Sequence, residues 1–299
     1  MKTLLIIGGI VAIYYFFFYK KKKTVEEYIA EAKVALDGKN FEKALECYRK
    51  ALEINPRHAE THNLMGWCYC HVNKGDEGVR CFQKAIEIEP ENSKHYSGMA
   101  YLYNDLGKYE EAIHAYKKSC SINPDNATTF LFLGEACSNS GQYDEAIHAF
   151  NKALQFNPNN EDILLKLGDA YRELENYDEA IKTLQKAIKI NPESMLAIYD
   201  LGTMYRMKGD YDQAINAFQK MNKLEPDTDL VLCDLGITFI DKGDIDKGLQ
   251  YFQKVFDINC DEPDIYDRMG LACQESGNQA KADECFQKRD MLKNPKDSI

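Results

Sequence analysis

The sequence predicts an all-α protein: a solenoid of eight tandem helical hairpins, preceded by one N-terminal transmembrane helix. Three observations support this prediction. An uncharged apolar run near the N-terminus is followed by a cluster of lysines. Two positions in every 34-residue unit of the remaining chain hold only Gly or Ala. Six prolines recur at intervals of 34 residues: Pro56, Pro90, Pro124, Pro158, Pro192 and Pro226.

The N-terminal segment has the features of a membrane anchor. Residues 3–19 (TLLIIGGIVAIYYFFFY) carry no charge, and as a helix they span about 25 Å of hydrocarbon. The lysines at positions 20–23 outweigh Lys2, so the positive-inside rule places the following chain on the cytoplasmic side. A cleaved signal peptide is the alternative, but a cut after Ala12 would put Ile10 where a small residue is required. We therefore expect an anchor with a polybasic stop at residues 1–24 and a solenoid at residues 25–299.

The regular prolines define a repeat frame. With each proline at position 32 of its unit, eight units follow without a gap. Their bounds are 25–58, 59–92, 93–126, 127–160, 161–194, 195–228, 229–262 and 263–296.

Three columns of this frame predict how each unit folds. Position 8 is Gly or Ala in all units, as at Gly66 and Ala100, and position 20 is equally small, as at Ala112. Position 24 is always large, as at Phe82 and Tyr116. Small residues allow two antiparallel helices to approach closely, and a bulky residue fills the space beside them. Because proline cannot continue a helix, the second helix ends before position 32.

This pattern resembles the tetratricopeptide repeat family over residues 25–296. The resemblance implies a right-handed α-solenoid whose ligands lie in a concave groove, at positions 2, 5, 9, 12 and 13 of the first helices. It also implies protein or peptide partners. Clamps of the family that bind a chain-terminal carboxylate pair Lys at position 5 with Asn at position 9, and no repeat of this chain has that pair.

Charge narrows the classes of partner. The chain has 37 basic and 48 acidic residues, and the first 24 residues hold five lysines and no acid. Residues 25–299 therefore carry 32 basic and 48 acidic side chains, a net charge of −16. A segment with this net charge repels the phosphate backbone of nucleic acids, which argues against nucleic acid as a ligand.

The sequence shows no constellation that would support catalysis. It lacks a glycine-rich phosphate loop, an H-E-x-x-H motif, a G-x-S-x-G elbow and paired C-x-x-C motifs. Cys68, Cys70 and His71 are the best metal candidates, but their spacing is not that of a standard zinc site. Several of the ten cysteines recur at helix-packing positions 11 and 23, which favours reduced, buried thiols. We expect no enzyme activity, no cofactor and no metal.

The groove positions identify the candidate binding residues. Repeats 2 to 5 present acids with two aromatics, and repeats 6 and 7 present mostly apolar side chains, predicted to form an exposed run. Trp67 is either a ligand anchor or a cover for a neighbouring helix. The predicted protein-binding residues are Glu60, Asn63, Trp67, Tyr101, Asn104, Glu135, Asp169, Arg172, Tyr199, Arg206, Leu230, Ile237 and Ile240.

Together these observations predict a single-pass, cytoplasm-facing scaffold or adaptor that binds proteins through its groove and catalyses nothing. A matching ligand would be a segment with both basic and apolar residues. One alternative is a coat or tether that self-assembles on a membrane as a homo-oligomer. Another is a regulatory subunit of a membrane enzyme complex, whose catalytic residues would come from a partner.

Overall fold

The structure is a computed structural model that describes residues 23–226, 228–258 and 260–293. Over these ranges it contains sixteen α-helices and no strand. In chain order they are α1 (Val25–Asp37), α2 (Phe41–Ile54), α3 (Ala59–His71), α4 (Gly75–Ile88), α5 (Ser93–Asp105), α6 (Tyr109–Ile122), α7 (Ala127–Asn139), α8 (Tyr143–Phe156), α9 (Glu161–Glu173), α10 (Tyr177–Ile190), α11 (Met195–Lys208), α12 (Tyr211–Leu224), α13 (Asp229–Asp241), α14 (Ile245–Asp257), α15 (Pro263–Glu275) and α16 (Gln279–Lys293).

The predicted membrane segment, residues 3–19, lies outside the described residues. Among the helices from Val25 onward, none combines the length and the apolar character needed to cross a membrane.

Every predicted repeat contributes two consecutive helices, and local signals set their ends. Thr24 and Glu27 form a capping box at the start of α1, as their spacing predicts. At position 34, Asn126 and Asn160 accept hydrogen bonds from backbone amides in the first turns of α7 and α9. These caps satisfy amide groups that would otherwise lack a partner at the start of each helix.

The turn inside each hairpin depends on one backbone conformation. Position 15 has a positive φ in all eight repeats. Five of these residues are glycines, and the other three are Lys39, Asn73 and Glu175, each with φ 55°. Repeats 1 and 2 therefore make the same turn as the later repeats, although their turn sequences look irregular.

The helices form two compact units, one ending at Ser140 and the other beginning at Gly141. The first contains α1 to α7 and the second α8 to α16. Within each unit the helices of a repeat pack against each other, and the second helix packs against the first helix of the next repeat. Each unit is thus a short α-solenoid, as the repeat frame predicts.

The core of each hairpin confirms the interpretation of the three columns. The position-24 side chains Phe82, Phe218 and Phe252 are fully buried. A Cβ added to the facing glycine, Gly66, would lie 2.9 Å from the Phe82 ring, and one added to Gly202 would lie 2.7 Å from Phe218. The aromatic ring therefore occupies the space that the missing side chain leaves free.

The cysteines lie mostly in this core. All ten are free thiols, and only Cys70 and Cys81 are partly exposed. Burial raises the pKa of Cys68, Cys81 and Cys120 to about 11. Their thiols are therefore protonated at neutral pH and poor nucleophiles.

Candidate functional site

The candidate site is the surface that the first helices of repeats 2 to 8 form in each unit, here called the first-helix face. In the first unit it comprises α3, α5 and α7, and in the second unit α9, α11, α13 and α15. The two units are described separately.

In the first unit an aromatic row crosses this face. The Trp67 ring meets Phe82 edge-on at a centroid distance of 5.5 Å and lies 5.4 Å from Tyr101. Tyr101 in turn contacts Phe132 edge-on at 6.2 Å and is 38% exposed. Trp67 therefore does cover neighbouring helices, while Tyr101 keeps an open face.

Amides and acids flank the aromatic row. Asn139 donates a hydrogen bond from Nδ2 to Asn104 Oδ1 at 3.3 Å, which links α7 to α5. Glu60 is exposed on α3, and Glu135 is half-buried on α7. The unit thus combines aromatic faces with carboxylates, a combination suited to cationic or amphipathic side chains.

A polar cleft of ≈ 480 Å³ opens beside Glu60 and Asn63. Its wall includes His95, which is 3% exposed. The Nδ1 atom of His95 lies 2.8 Å from Asn63 Nδ2, and its Nε2 lies 3.1 Å from Glu89 Oε2. Hydrogen bonds from Asn92 and His95 hold the pKa of Glu89 below its usual range.

In the second unit several acidic side chains lie around one arginine. Arg172 pairs with Asp169 at 2.9 Å and with Glu173 at 3.0 Å. Burial raises the pKa of Asp200 to about 6, and the negative charge of Asp169 adds to this shift while Arg172 opposes it. Burial also raises the pKa of Asp169. This part of the face therefore holds carboxylates that a partner cation would stabilise in their charged form.

The raised pKa of Asp200 predicts a pH-dependent stability. Because the folded protein keeps this proton at pH values where the unfolded chain loses it, the contribution of Asp200 is fully present below about pH 4 and is lost as the pH rises through about 6. We expect Asp200→Asn to be more stable than the wild type at pH 7 by about 1 to 2 kcal/mol, and equal to it at pH 4. Thermal unfolding at the two pH values measures this.

Asp178 provides the control for that experiment. Its pKa is lowered by the hydrogen bond from Lys208 and by the charge of that lysine, so its stabilising effect is present at neutral pH and lost on acidification. Asp178→Asn should therefore change stability at pH 7 in the opposite direction. If both variants were more stable than the wild type at pH 7, the gain would come from the general loss of negative charge and not from the environment of Asp200.

A buried ion pair joins three first helices of the second unit. Asp234 on α13 is 1% exposed. Its carboxylate accepts a hydrogen bond from the Tyr199 hydroxyl of α11 at 2.9 Å and another from Arg268 Nη2 of α15. Nearby, Arg206 donates to Asp241 at 3.3 Å. Tyr199 and Arg206, both predicted as binding residues, are thus held in place by partners within the face.

The exposed apolar run predicted for repeats 6 and 7 is wrong for Cys233, Ile237 and Ile240, which are buried, whereas its members Leu196 and Met207 are 67% and 47% exposed. Leu230 is half-buried, but Ile237 is only 7% exposed and Ile240 only 8%. Both belong to a core cluster with Phe252, Tyr266 and other residues of α14 and α15. The reason is that α13 packs against α12, α14 and α15, which buries every residue from 231 to 240.

Sequence reasoning overlooked position 6, which lies on the same face as the predicted positions. Phe132, Asp200, Asp234 and Arg268 all occupy it. It also overlooked His95. A usable signal existed, because position 3 holds Thr, Ala, Val or Ile in the other repeats from the second to the eighth, and His95 alone is ionisable there.

The fold and this face define a helical-repeat protein of the protein-interaction type. Tetratricopeptide repeat profiles match residues 26–58 and 93–126, and a second such profile matches residues 47–77. The profile of the cytochrome c-type biogenesis protein H TPR domain matches residues 120–232. These matches together cover residues 26–77 and 93–232, more than half of the chain. The chain belongs to the tetratricopeptide repeat family.

Solved structures share this architecture. A MamA structure is 29% identical with a TM-score of 0.50, over 53% of this chain and 93% of that one. YrrB, described as a TPR protein with an unusual peptide-binding site, is 27% identical with a TM-score of 0.52, over 60% of this chain and 93% of its own. A tetratricopeptide repeat protein from Parabacteroides merdae is 18% identical with a TM-score of 0.58, over 89% and 98% of the two chains. A comparison with curated proteins yields no match.

Proposed function

We propose that this protein is a non-catalytic adaptor, anchored in a membrane by residues 3–19, that binds a segment of a partner protein along its first-helix face on the cytoplasmic side. The observation that carries the binding proposal is the aromatic row of the first unit. The Tyr101 ring there is packed against Trp67 and remains 38% exposed, and an aromatic face held in this way anchors partner segments at low entropic cost. The likeness to YrrB, a TPR protein with an unusual peptide-binding site, supports this proposal.

The chemistry of the face indicates a partner segment with basic and apolar residues. Asp105 is exposed at the end of α5, close in sequence to Tyr101. Exposed carboxylates accelerate the encounter with a basic segment, whereas contacts with the aromatic rings determine how long it stays bound. Because Ile237 and Ile240 are buried, the proposed site uses the exposed ring of Tyr101 and the half-buried Trp67 for apolar contacts.

Affinity capture from the native membrane fraction tests the adaptor, with the full chain as bait and mass spectrometry to identify what binds. With a captured partner, Asp105→Lys should slow association at low salt, and Tyr101→Ala should raise the dissociation rate. Glu87→Lys is the matched control, because it makes the same charge change on an exposed second helix. If all three variants bind like the wild type, the first-helix face is not the site.

The proposed anchoring makes a topological prediction of its own. A cysteine introduced as Ser298→Cys should react with a membrane-impermeant maleimide, above the wild-type level, only after the cytoplasmic side is opened. The wild type is a suitable background, because eight of its ten cysteines are buried. Reaction in intact cells would contradict the positive-inside argument.

A further inference from the structure

Three second helices of the second unit carry positive and no negative charges in their later turns, opposite to the acidic balance of the whole chain. Over residues 146–156, 180–190 and 213–224, which are the later turns of α8, α10 and α12, no acid occurs. These three stretches contain the lysine patch, which comprises Lys152, Lys182, Lys186, Lys189, Lys220 and Lys223. In a chain with 48 acidic and 37 basic residues, such a local reversal of charge is a distinct surface feature.

Part of the lysine patch borders a crevice. A cavity of ≈ 410 Å³ opens between α8 and α10 above α9. Its floor includes Leu164 and Leu167, which are 3% and 4% exposed, and the half-buried Leu154. Its rim carries the cationic and amide groups, which are Lys182, Lys186, Lys189, Asn151 and Gln185.

The third helix of the lysine patch, α12, places a further positive charge beside the same crevice. Lys220 on α12 donates a hydrogen bond to the carbonyl oxygen of Pro192 at 2.9 Å. Pro192 lies in the loop that directly follows α10, so the ammonium group of Lys220 lies at the end of the helix that carries Lys186 and Lys189.

Most of these charges have no acidic partner. Glu179 is the one acid among the lining residues, and Lys182 pairs with it at 2.5 Å. In the part of the chain that the structure describes, no ion pair joins an acid to the patch lysines other than Lys182. Two position-26 lysines of the first unit are instead paired within their own helix, Lys50 with Glu46 at 2.5 Å and Lys84 with Glu87 at 2.7 Å.

We propose that the lysine patch and its crevice form a second binding surface, on the second-helix face, for an acidic segment of a partner protein that inserts an apolar side chain between the lysines. Charge complementarity selects the acids, and the leucine floor selects the apolar side chain. A flat lipid surface would meet the ammonium groups but would leave the buried leucines of the floor without contact. The surface therefore fits a protein segment, with a charge preference opposite to that of the first-helix face.

The test measures the binding of a fluorescent peptide of repeating Glu-Glu-Leu triplets to the full chain in phosphatidylcholine nanodiscs. The double variant Lys186→Glu/Lys189→Glu should weaken binding by about tenfold or more, because it reverses two exposed charges. The neutral variant Lys186→Gln/Lys189→Gln should give an intermediate loss. Lys254→Glu is the control, since it reverses the charge of the equivalent lysine of α14, whose last turn contains Asp257, and should leave affinity unchanged.

Three results would overturn the proposal. A comparable loss with Lys254→Glu, which reverses one charge outside the patch, would show that the loss is not specific to the lysine patch. Abolition of peptide binding when phosphatidylserine is added to the nanodiscs would show that the lysines face the membrane. The third result is self-association: copies of the chain bind each other, the peptide competes with this binding, and the double variant abolishes it. Such a result would identify a second copy of the chain as the occupant of the crevice. A peptide of Lys-Lys-Leu triplets should bind the wild type and the double variant alike.

Discussion

Asp234→Ala is expected to destabilise the second unit by about 2 to 4 kcal/mol, because it removes one partner of a buried ion pair. Asp234 is 1% exposed and accepts hydrogen bonds from Tyr199 and Arg268. Alanine would leave both donors without an acceptor in a covered part of the face. The Arg268 side chain is 34% exposed, so water can hydrogen-bond to its guanidinium in the variant. The expected loss of stability is therefore smaller than for a fully buried ion pair.

Amide hydrogen exchange is the suitable measurement, because neighbouring repeats of a solenoid can open separately. Protection should fall in α11, α13 and α15 together, since the ion pair joins all three helices. Asp241→Ala is the control: its side chain is 29% exposed and pairs with Arg206 at 3.3 Å, and its loss should cost below about 1 kcal/mol. Equal effects of the two substitutions would mean that Asp234 is not the link between these helices.

Gly248→Ala is the second large effect expected, with a net loss of about 1 to 3 kcal/mol. A Cβ at this position would lie 2.7 Å from the carbonyl oxygen of Gly236 and 2.5 Å from Ile240 Cγ1. The backbone oxygen cannot rotate away as a side chain can, so α13 and α14 must separate. Alanine would otherwise favour the helix by about 1 kcal/mol, which makes a loss of stability diagnostic of the steric contact.

Gly168→Ala is the matched control, because the nearest atoms to a Cβ there belong to the Leu184 side chain, with Cδ2 at 3.2 Å and Cγ at 3.3 Å, and not to the backbone. A small shift of this side chain makes room, so we expect no loss, or a gain that approaches the intrinsic helix preference of alanine. Thermal unfolding of the full chain compares the two variants. A similar loss at both positions would show that the close approach of α13 and α14 is not special.

Much of the fold could be predicted from the sequence because its determinants lie within one hairpin. The 34-residue period, the small residues at positions 8 and 20 and the bulky residue at position 24 all concern two helices joined by a short turn. Their contacts, such as Phe82 against Gly66, are therefore repeated in each unit and visible as columns. The capping box at Thr24 and the helix ends before the prolines are local in the same way.

At positions 8 and 20, where every residue is small, the sequence does not show which helix pairs are closely packed and which are loosely packed. Gly and Ala are equivalent as small residues, yet repeats 2 and 7 have glycine at both positions 8 and 20. Only in the tertiary structure does a Cβ at Gly248 or Gly78 approach a facing carbonyl oxygen, at 2.7 Å from Gly236 and 3.0 Å from Gly66. The distance between two helices depends on the side chains of both, which no single column records.

The sequence by itself determined the helical repeats, their register and the first-helix positions of the candidate face. The tertiary structure decided which of those positions remain open. Ile237 and Ile240 occupy groove positions yet are buried, whereas Tyr101 at an equivalent position stays 38% exposed. The physical reason is that exposure of a first helix depends on how closely the first helices of adjacent repeats approach each other. That approach is set by contacts between residues about one repeat apart, such as Asp234 with Arg268, and not by the residue at the position itself.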